Sequence, residues 1–259
     1  MSELASEQST QRLRGAPSER SEGERVAVTR TKIDGRALAA AGAAELGPDA
    51  TAQEVLAWGA ATFGRGMVVA SNMQDAVLVD LAARALPGVD VLFLQTGYHF
   101  PETIGTRDAV AAVYDVTIVD AEPEHSVAEQ DALLGRDLFA RDPDRCCHLR
   151  KVVPLRATLA RYDAWVTGVR RVEAPTRAGT PLVTYDENNG LVKLNPLAAW
   201  TDEQFQAYVD EHRVLVNPLV AEGYPSIGCR TCTVRPAPGA DPRSGRWAGR
   251  AKTECGLHA

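Results

Sequence analysis

No uninterrupted apolar stretch in the 259-residue sequence comes near the roughly 18 residues that a membrane-spanning helix requires. Runs such as Val91–Leu94 have instead the length of a buried strand. A secretory core is missing from the first 30 residues, where Glu3, Glu7, Glu19, Glu22 and Glu24 are interleaved with Arg and Ser. Organelle transit peptides are poor in acids, so the same glutamates argue against that class. Large apolar side chains are scarce there as well. The stretch cannot offset its own ordering entropy, and residues 1–30 are expected to form a disordered tail. Surplus positive charge is also lacking: 28 basic residues face 34 acidic ones, a net charge of −6, which excludes a protein that coats nucleic acid. Without an export signal or a span, the cytosol is the expected compartment. Thiols stay reduced there, so the five cysteines read as metal ligands or reactive groups rather than disulfides.

What is present has the ordinary globular balance, 45% apolar and 24% charged residues, over a length suited to one or at most two domains. Thr51-Ala-Gln-Glu54 is a capping box opening a helix to about Phe63, and Met67–Ala70 follows as a buried strand. Gln74–Leu86 reads as an amphipathic helix, Val89–Leu94 as a strand, Glu102–Val113 as a helix and Val116–Val119 as a strand. Ser126-Val-Ala-Glu129 opens a helix to Leu134; Arg145–Tyr162 is expected helical and Ala164–Thr167 extended. A hairpin joins Leu182–Asp186 to Leu191–Leu194, and Thr201-Asp-Glu-Gln204 caps a helix to about His212. Repeated strand–helix–strand units predict an α/β fold, a mostly parallel sheet with helices on both faces. The expected division is an α/β catalytic domain over 31–225 and a loop-rich segment over 226–259, where Gly and Pro become dense.

Four cysteines form two pairs, Cys146-Cys147 in DRCCHLRK and Cys229/Cys232 in GCRTC. Four thiolates suffice for a zinc ion or a [4Fe–4S] cube. Vicinal side chains diverge along a helix and crowd poorly onto one tetrahedral ion. A cube offers separate iron corners, so the cluster reading leads, ahead of zinc and of four inert core thiols. Cys255 stands apart in KTECGLH. It reads either as an unused thiol near a frayed end or as a reactive one, since Lys252 and His258 favour the thiolate and nearby glycines leave the segment free to swing.

Charge is distributed unevenly. Eight basic residues face two acids between Arg145 and Arg177, and six face two between Ile227 and Ala259. All five cysteines fall in these windows, where positive charge would accompany thiolates and an anionic ligand. The turn Ala70–Asp75 is a candidate phosphate cradle at a helix N-terminus, although it fits neither GxGxxG nor Walker A. Leu94-Gln-Thr-Gly97 lies at the same carboxyl edge of the sheet, where open α/β folds bind ligands, and the arginines Arg170, Arg171 and Arg177 suit the charged end of a nucleotide. His99, His125, His148 and His212 lack mutual ligand spacing and read as surface or capping groups. Trp58, Trp165 and Trp200 read as core, and Trp247 is left undecided.

CCHLRKVVPL, WVTGVRR, EAPTR, GYPSIGCRTC, DPRSGRW and KTECGLH, in this order, resemble the assimilatory adenylyl-sulfate (APS) reductases, thioredoxin-dependent enzymes of sulfate assimilation within the APS/PAPS reductase family. The likeness runs from about Gly66 to the end. It implies an adenine-nucleotide alpha-hydrolase-like fold, related to the ATP pyrophosphatases, with a flexible C-terminal tail. It also implies a [4Fe–4S] cluster on Cys146, Cys147, Cys229 and Cys232, with Cys255 as catalytic nucleophile. Ser71, Leu94, Thr96, Gly168 and Arg177 match positions lining the adenosine and phosphate pocket; Lys151, Arg243 and Arg246 match basic residues near the phosphosulfate. Two departures stand out: VASNM replaces an SFSG-like loop, and LQTG with Gln95 replaces LDTG.

The reaction implied is reduction of adenosine 5'-phosphosulfate to sulfite and AMP through an S-sulfocysteine on Cys255, with thioredoxin as partner. The nearest rival is a PAPS reductase, a branch that keeps ECGLH but lacks the four ligand cysteines. A non-catalytic iron–sulfur sensor is more remote, since it needs neither a nucleotide fold nor ECGLH. Homo-oligomerisation is left open.

Overall fold

Capping residues and short apolar runs set most of the boundaries. The computed structural model describes residues 34–250, 252 and 254–257, all within the unit Ile33–Ala259. The expected tail over residues 1–30 and His258 lie outside the described residues. Asp34 accepts the N–H groups of Arg36 and Ala37 and opens α1 (Gly35–Leu46). Then follow α2 (Ala52–Phe63), β1 (Met67–Ala70), α3 (Val77–Ala85), β2 (Val89–Leu94), α4 (Pro101–Val113) and β3 (Val116–Ala121). Next come α5 (Val127–Leu134), α6 (Leu138–Arg141), α7 (Pro143–Cys147), a π turn at His148–Val152, and α8 (Val153–Leu159). The rest comprises β4 (Ala164–Val166), β5 (Val183–Asp186), β6 (Leu191–Leu194), α9 (Asp202–His212) and α10 (Pro218–Ala221). The capping boxes at Thr51, Ser126 and Thr201 all form, each cap side chain accepting the backbone N–H three residues on.

Three expectations need correction. Helix α3 begins at Val77, not Gln74, because residues 71–76 are held in an irregular loop. The helix expected over Arg145–Tyr162 is interrupted by the π turn, in which the N–H of Val153 reaches back to the carbonyl of His148. Pro154 lacks the N–H that an unbroken α-helix would use, and its ring clashes with the carbonyl four residues earlier, so the backbone widens just before it. Helices α1, α6 and α10 were not anticipated; α1 buries only Ala39 and Gly42, too little for an apolar stripe.

The sheet order is β3-β2-β1-β4-β6-β5, parallel throughout except that β5 runs antiparallel to β6. Side chains alternate between its two faces. Val68, Leu92 and Trp165 pack with Leu155 and Leu159 of α8, while Val69, Val91 and Val166 pack with α2 and α3. The predicted α/β class with helices on both faces is therefore the observed one. From β1 the chain proceeds to β2 and β3 on one side and then to β4 on the other. The loops leaving β1 and β4 thus diverge and open a crevice at the carboxyl edge. No helix among the described residues is long and apolar enough to cross a membrane.

Close approach of α2 to the sheet depends on Gly59, where a Cβ would stand 2.6 Å from Leu194 Cδ1 and 2.9 Å from Met67 Sδ. Gly59→Ala is expected to destabilise the fold by ~1–3 kcal/mol. Urea unfolding should give a lower midpoint with an unchanged slope.

Candidate active site

The loop after β1 is pinned by its own polar groups. The Ser71 N–H donates to the Leu92 carbonyl at 3.1 Å, and the Ser71 hydroxyl accepts the N–H of Met73 at 3.2 Å. Met73 has φ +60° yet is fully buried. A left-handed non-glycine residue costs ~1–2 kcal/mol, and here Asn217 offsets it by donating its side-chain amide to the Met73 carbonyl at 3.1 Å. Gln74 was missed by the sequence reading. Its amide oxygen accepts the N–H of Ile227 at 2.9 Å and its amide nitrogen donates to the Pro225 carbonyl at 3.2 Å, fastening the stretch that leads to Cys229.

The phosphate-cradle expectation for this turn is corrected. The Asp75 carboxylate itself accepts the N–H of Val77 at 3.0 Å and so places a competing acceptor at the start of α3. Burial, reinforced by Glu173, outweighs that bond and the nearby Arg170, and the Asp75 carboxyl is pushed up to about 6.

After β2, the Thr96 hydroxyl lies 3.4 Å from Cys229 Sγ, and its carbonyl accepts a hydrogen bond from the buried Arg150 guanidinium. Gln95, the departure from LDTG, turns back to accept the N–H of Gly97 at 3.4 Å. The surface reading of His99 is also corrected: it is partly buried against Phe93, its Nε2 lies 2.9 Å from the Leu94 carbonyl, and burial lowers its pKa. After β4, Thr167 donates its hydroxyl to Asn195 at 2.5 Å, and both Thr167 and Gly168 open onto the crevice.

A single cavity of about 580 Å³ occupies this crevice. Its wall carries Ser71, Leu94 and Thr96 from the first two loops, and Gly168 and Arg177 from the segment after β4. Lys151 from the π turn, Arg243 and Arg246 from the C-terminal segment, and Cys255 complete it. The fold thus brings together Cys255 and the eight substrate positions implied by the resemblance; Arg170 also lines the cavity, whereas Arg171, expected with it at the charged end of a nucleotide, instead donates to the Thr180 carbonyl at 2.9 Å. Arg243 and Arg177 both hold the carboxylate of Glu254. Arg246 donates to the Ser226 hydroxyl and the Ile227 carbonyl, each at 3.2 Å, and leaves a buried Nε without a hydrogen-bond partner. Gly228 makes room for it: a Cβ there would stand 2.3 Å from an Arg246 nitrogen.

Beside the cavity, Cys146, Cys147, Cys229 and Cys232 line one pocket. Thr96, Lys151, Cys229 and Trp247 belong to both walls. Among the described residues no group of three or more His, Cys, Asp or Glu is close enough to hold a single metal ion. Burial and the neighbouring thiolates of Cys147, Cys229 and Cys232 push the Cys146 thiol up to about 12. A cationic metal core relieves that penalty, and the four residues fit such a group. Burial opposes the charge of Lys151, but Cys229, Cys255 and Cys147 outweigh it and push its pKa up to about 12. Trp247, undecided from the sequence, is buried with φ +50°, its ring flanked by Arg246 and Lys252.

The raised carboxyl of Asp75 has a consequence for stability. Unfolded, it titrates near 4, so between roughly pH 4 and 6 the folded state binds more protons, and stability falls as pH rises through that window. In Asp75→Asn this component is expected to vanish while the amide oxygen still accepts from Val77. Thermal unfolding from pH 4 to 7 should show a flatter profile and a higher Tm at pH 7 than wild type.

The phosphoadenosine phosphosulfate reductase domain model matches residues 66–235. The chain is 67% identical to an adenosine 5'-phosphosulfate reductase of Mycolicibacterium smegmatis, covering 89% of this chain and 97% of that one. It is 66% identical to another of Rhodococcus opacus, covering 88% and 96%. Among solved structures, a phosphoadenylyl-sulfate reductase of Candida auris, in a phosphate complex, superposes with a TM-score of 0.62 at 31% identity, over 72% of this chain and 91% of that one. An FMN adenylyltransferase of Candida glabrata shares the fold alone, with a TM-score of 0.54 at 12% identity, over 80% and 69% of the two chains. With the matched domain spanning the whole sheet and both cysteine pairs, the chain belongs to the phosphoadenosine phosphosulfate reductase family.

Proposed function

We propose that this protein reduces adenosine 5'-phosphosulfate to sulfite and AMP in assimilatory sulfate reduction, using a thioredoxin dithiol in the reducing cytosol. One observation carries the reading: Cys255, Lys151, Arg243 and Arg246 share a nucleotide-sized cavity at the sheet's carboxyl edge, against a pocket of four further thiols. In this reading residues 31–225 supply the nucleotide pocket, and 226–259 supply the second cysteine pair and the nucleophile. The high identity to proteins named adenosine 5'-phosphosulfate reductase supports it.

The Cys255 thiolate attacks the sulfur of the phosphosulfate, the S–O bond to AMP breaks, and an S-sulfocysteine forms. Lys151, Arg243 and Arg246 hold the sulfonyl and phosphate oxygens as negative charge moves onto the leaving phosphate. A thioredoxin thiolate then attacks Cys255 Sγ and sulfite departs with the bonding pair. The second thioredoxin thiol resolves the mixed disulfide and returns Cys255 as thiolate. Both electrons come from that dithiol. Cys146, Cys147, Cys229 and Cys232 would hold a [4Fe–4S] cluster, which would supply a fixed charge centre near Lys151 and would tie α7 to the C-terminal segment.

The rival substrate is the 3'-phosphorylated nucleotide, a reading favoured by the name of the Candida auris neighbour. The four thiols on one pocket favour the unphosphorylated substrate. Sulfite release by iron-replete protein is expected to be faster with APS than with PAPS, and the reverse order moves the assignment. Cys255→Ser is expected to abolish sulfite release while AMP still binds. Unchanged turnover would remove Cys255 as nucleophile and leave the remote reading, a redox sensor, in its place. Intact-mass spectrometry of wild type with APS and no reductant should find one SO₃ adduct on the peptide containing Cys255.

A further inference from the structure

The residue before the nucleophile already does what a substrate anion would do. Glu254 turns into the cavity and its carboxylate bridges two arginines. Arg177 meets it with Nε at 3.2 Å and a terminal nitrogen at 3.1 Å, a two-pronged pairing, and Arg243 adds a third contact at 3.1 Å. All three side chains are largely withdrawn from solvent, at 15%, 19% and 31% relative exposure for Arg177, Arg243 and Glu254. Glu173, bonded to Arg177 from the other side, orients that guanidinium without competing for the two nitrogens facing Glu254. Planar guanidinium forks recognise carboxylate and phosphate oxygens by the same geometry, so a carboxylate held this way marks a seat shaped for an oxyanion. Arg177 and Arg243 come from segments far apart in the chain, and Glu254 is the contact that joins them.

We propose that Glu254 is an internal surrogate for the substrate's anion: in the ligand-free protein its carboxylate occupies the Arg177–Arg243 seat, and the nucleotide's phosphate must expel it to bind. This rests on the nucleotide reading above and adds to it a self-competition. A nucleotide phosphate entering the seat competes with Glu254 for Arg177 Nε, the facing terminal nitrogen of Arg177 and Arg243, and so breaks the contact that fixes the adjoining Cys255. Ligand-free protein holds the nucleophile in one position beside the arginines, and loaded protein releases it to approach the sulfur within the cavity. The cost appears as weakened apparent affinity, because only the fraction with an empty seat is competent. The surrogate also gives two guanidinium groups that are largely withdrawn from solvent an additional charge partner when no ligand is present.

The test uses the full-length, iron-replete protein and Glu254→Gln, which keeps shape and removes charge. AMP is the binding probe, read by titration calorimetry. The second readout is the rate at which iodoacetamide alkylates Cys255, followed by mass spectrometry of its peptide. Glu254→Gln is expected to bind AMP about tenfold more tightly, equivalent to ~1.4 kcal/mol. AMP is expected to accelerate alkylation of Cys255 several-fold in wild type and hardly at all in the variant, whose ligand-free rate is already high. Glu254→Asp, with the charge kept but the reach shortened, should fall between the two. Equal or weaker AMP binding by Glu254→Gln, with the same AMP dependence of alkylation as wild type, overturns the surrogate and leaves the nucleotide reading standing. Failure of AMP to bind either protein overturns both.

Discussion

A buried ammonium group among thiols is the constraint on which the site depends. Lys151 lines both the four-cysteine pocket and the cavity holding Cys255, and the pull of Cys229, Cys255 and Cys147 outweighs the cost that burial sets on its charge. Clustered thiolates repel one another, and a lone buried cation is costly; together they offset both penalties. The π turn before Pro154 carries Lys151 to this position while Cys146 and Cys147 remain buried at the end of α7.

The surrounding fold delivers charge to one edge of the sheet. Reversal of strand order at β1 and β4 opens the crevice. Into it the segment after Pro225 is drawn by Gln74, by Arg246 bonded across Gly228, and by the bridge between Thr233 and Arg246. The basic stretches near Arg150 and Arg246, remote in the chain, thus face one another across a space of nucleotide size. The arginines here, largely withdrawn from solvent, and the buried Lys151 are held in place by their partners, the kind of preorganisation that, on the proposed reading, suits charge developing only during reaction.

Much of the fold was legible from local signals. Capping boxes at Thr51, Ser126 and Thr201 specify helix starts through side-chain geometry that no distant contact alters. Non-alternating runs such as Val89–Leu94 require both faces covered and hence a parallel sheet. Helix α3 was misplaced by three residues because the polar side chains of Ser71, Asn72 and Asp75 capture the N–H groups an earlier start would have used. Helix α1 escaped notice because its buried face is made of alanine and glycine.

The site divides along the same line. Residue type and spacing alone identified the thiols, the basic stretches and the carboxyl-edge loops, since these follow from chemistry carried by each short segment. Only the tertiary structure decided that His99 and Gln74 are built into the cavity wall, that Asp75 places a competing acceptor at the helix terminus once read as a phosphate seat, and that Glu254 rests on Arg177 and Arg243. Each of those outcomes is a competition for a hydrogen-bond or charge partner brought near by folding. A linear sequence names the competitors and leaves their distances, and therefore the winner, undetermined.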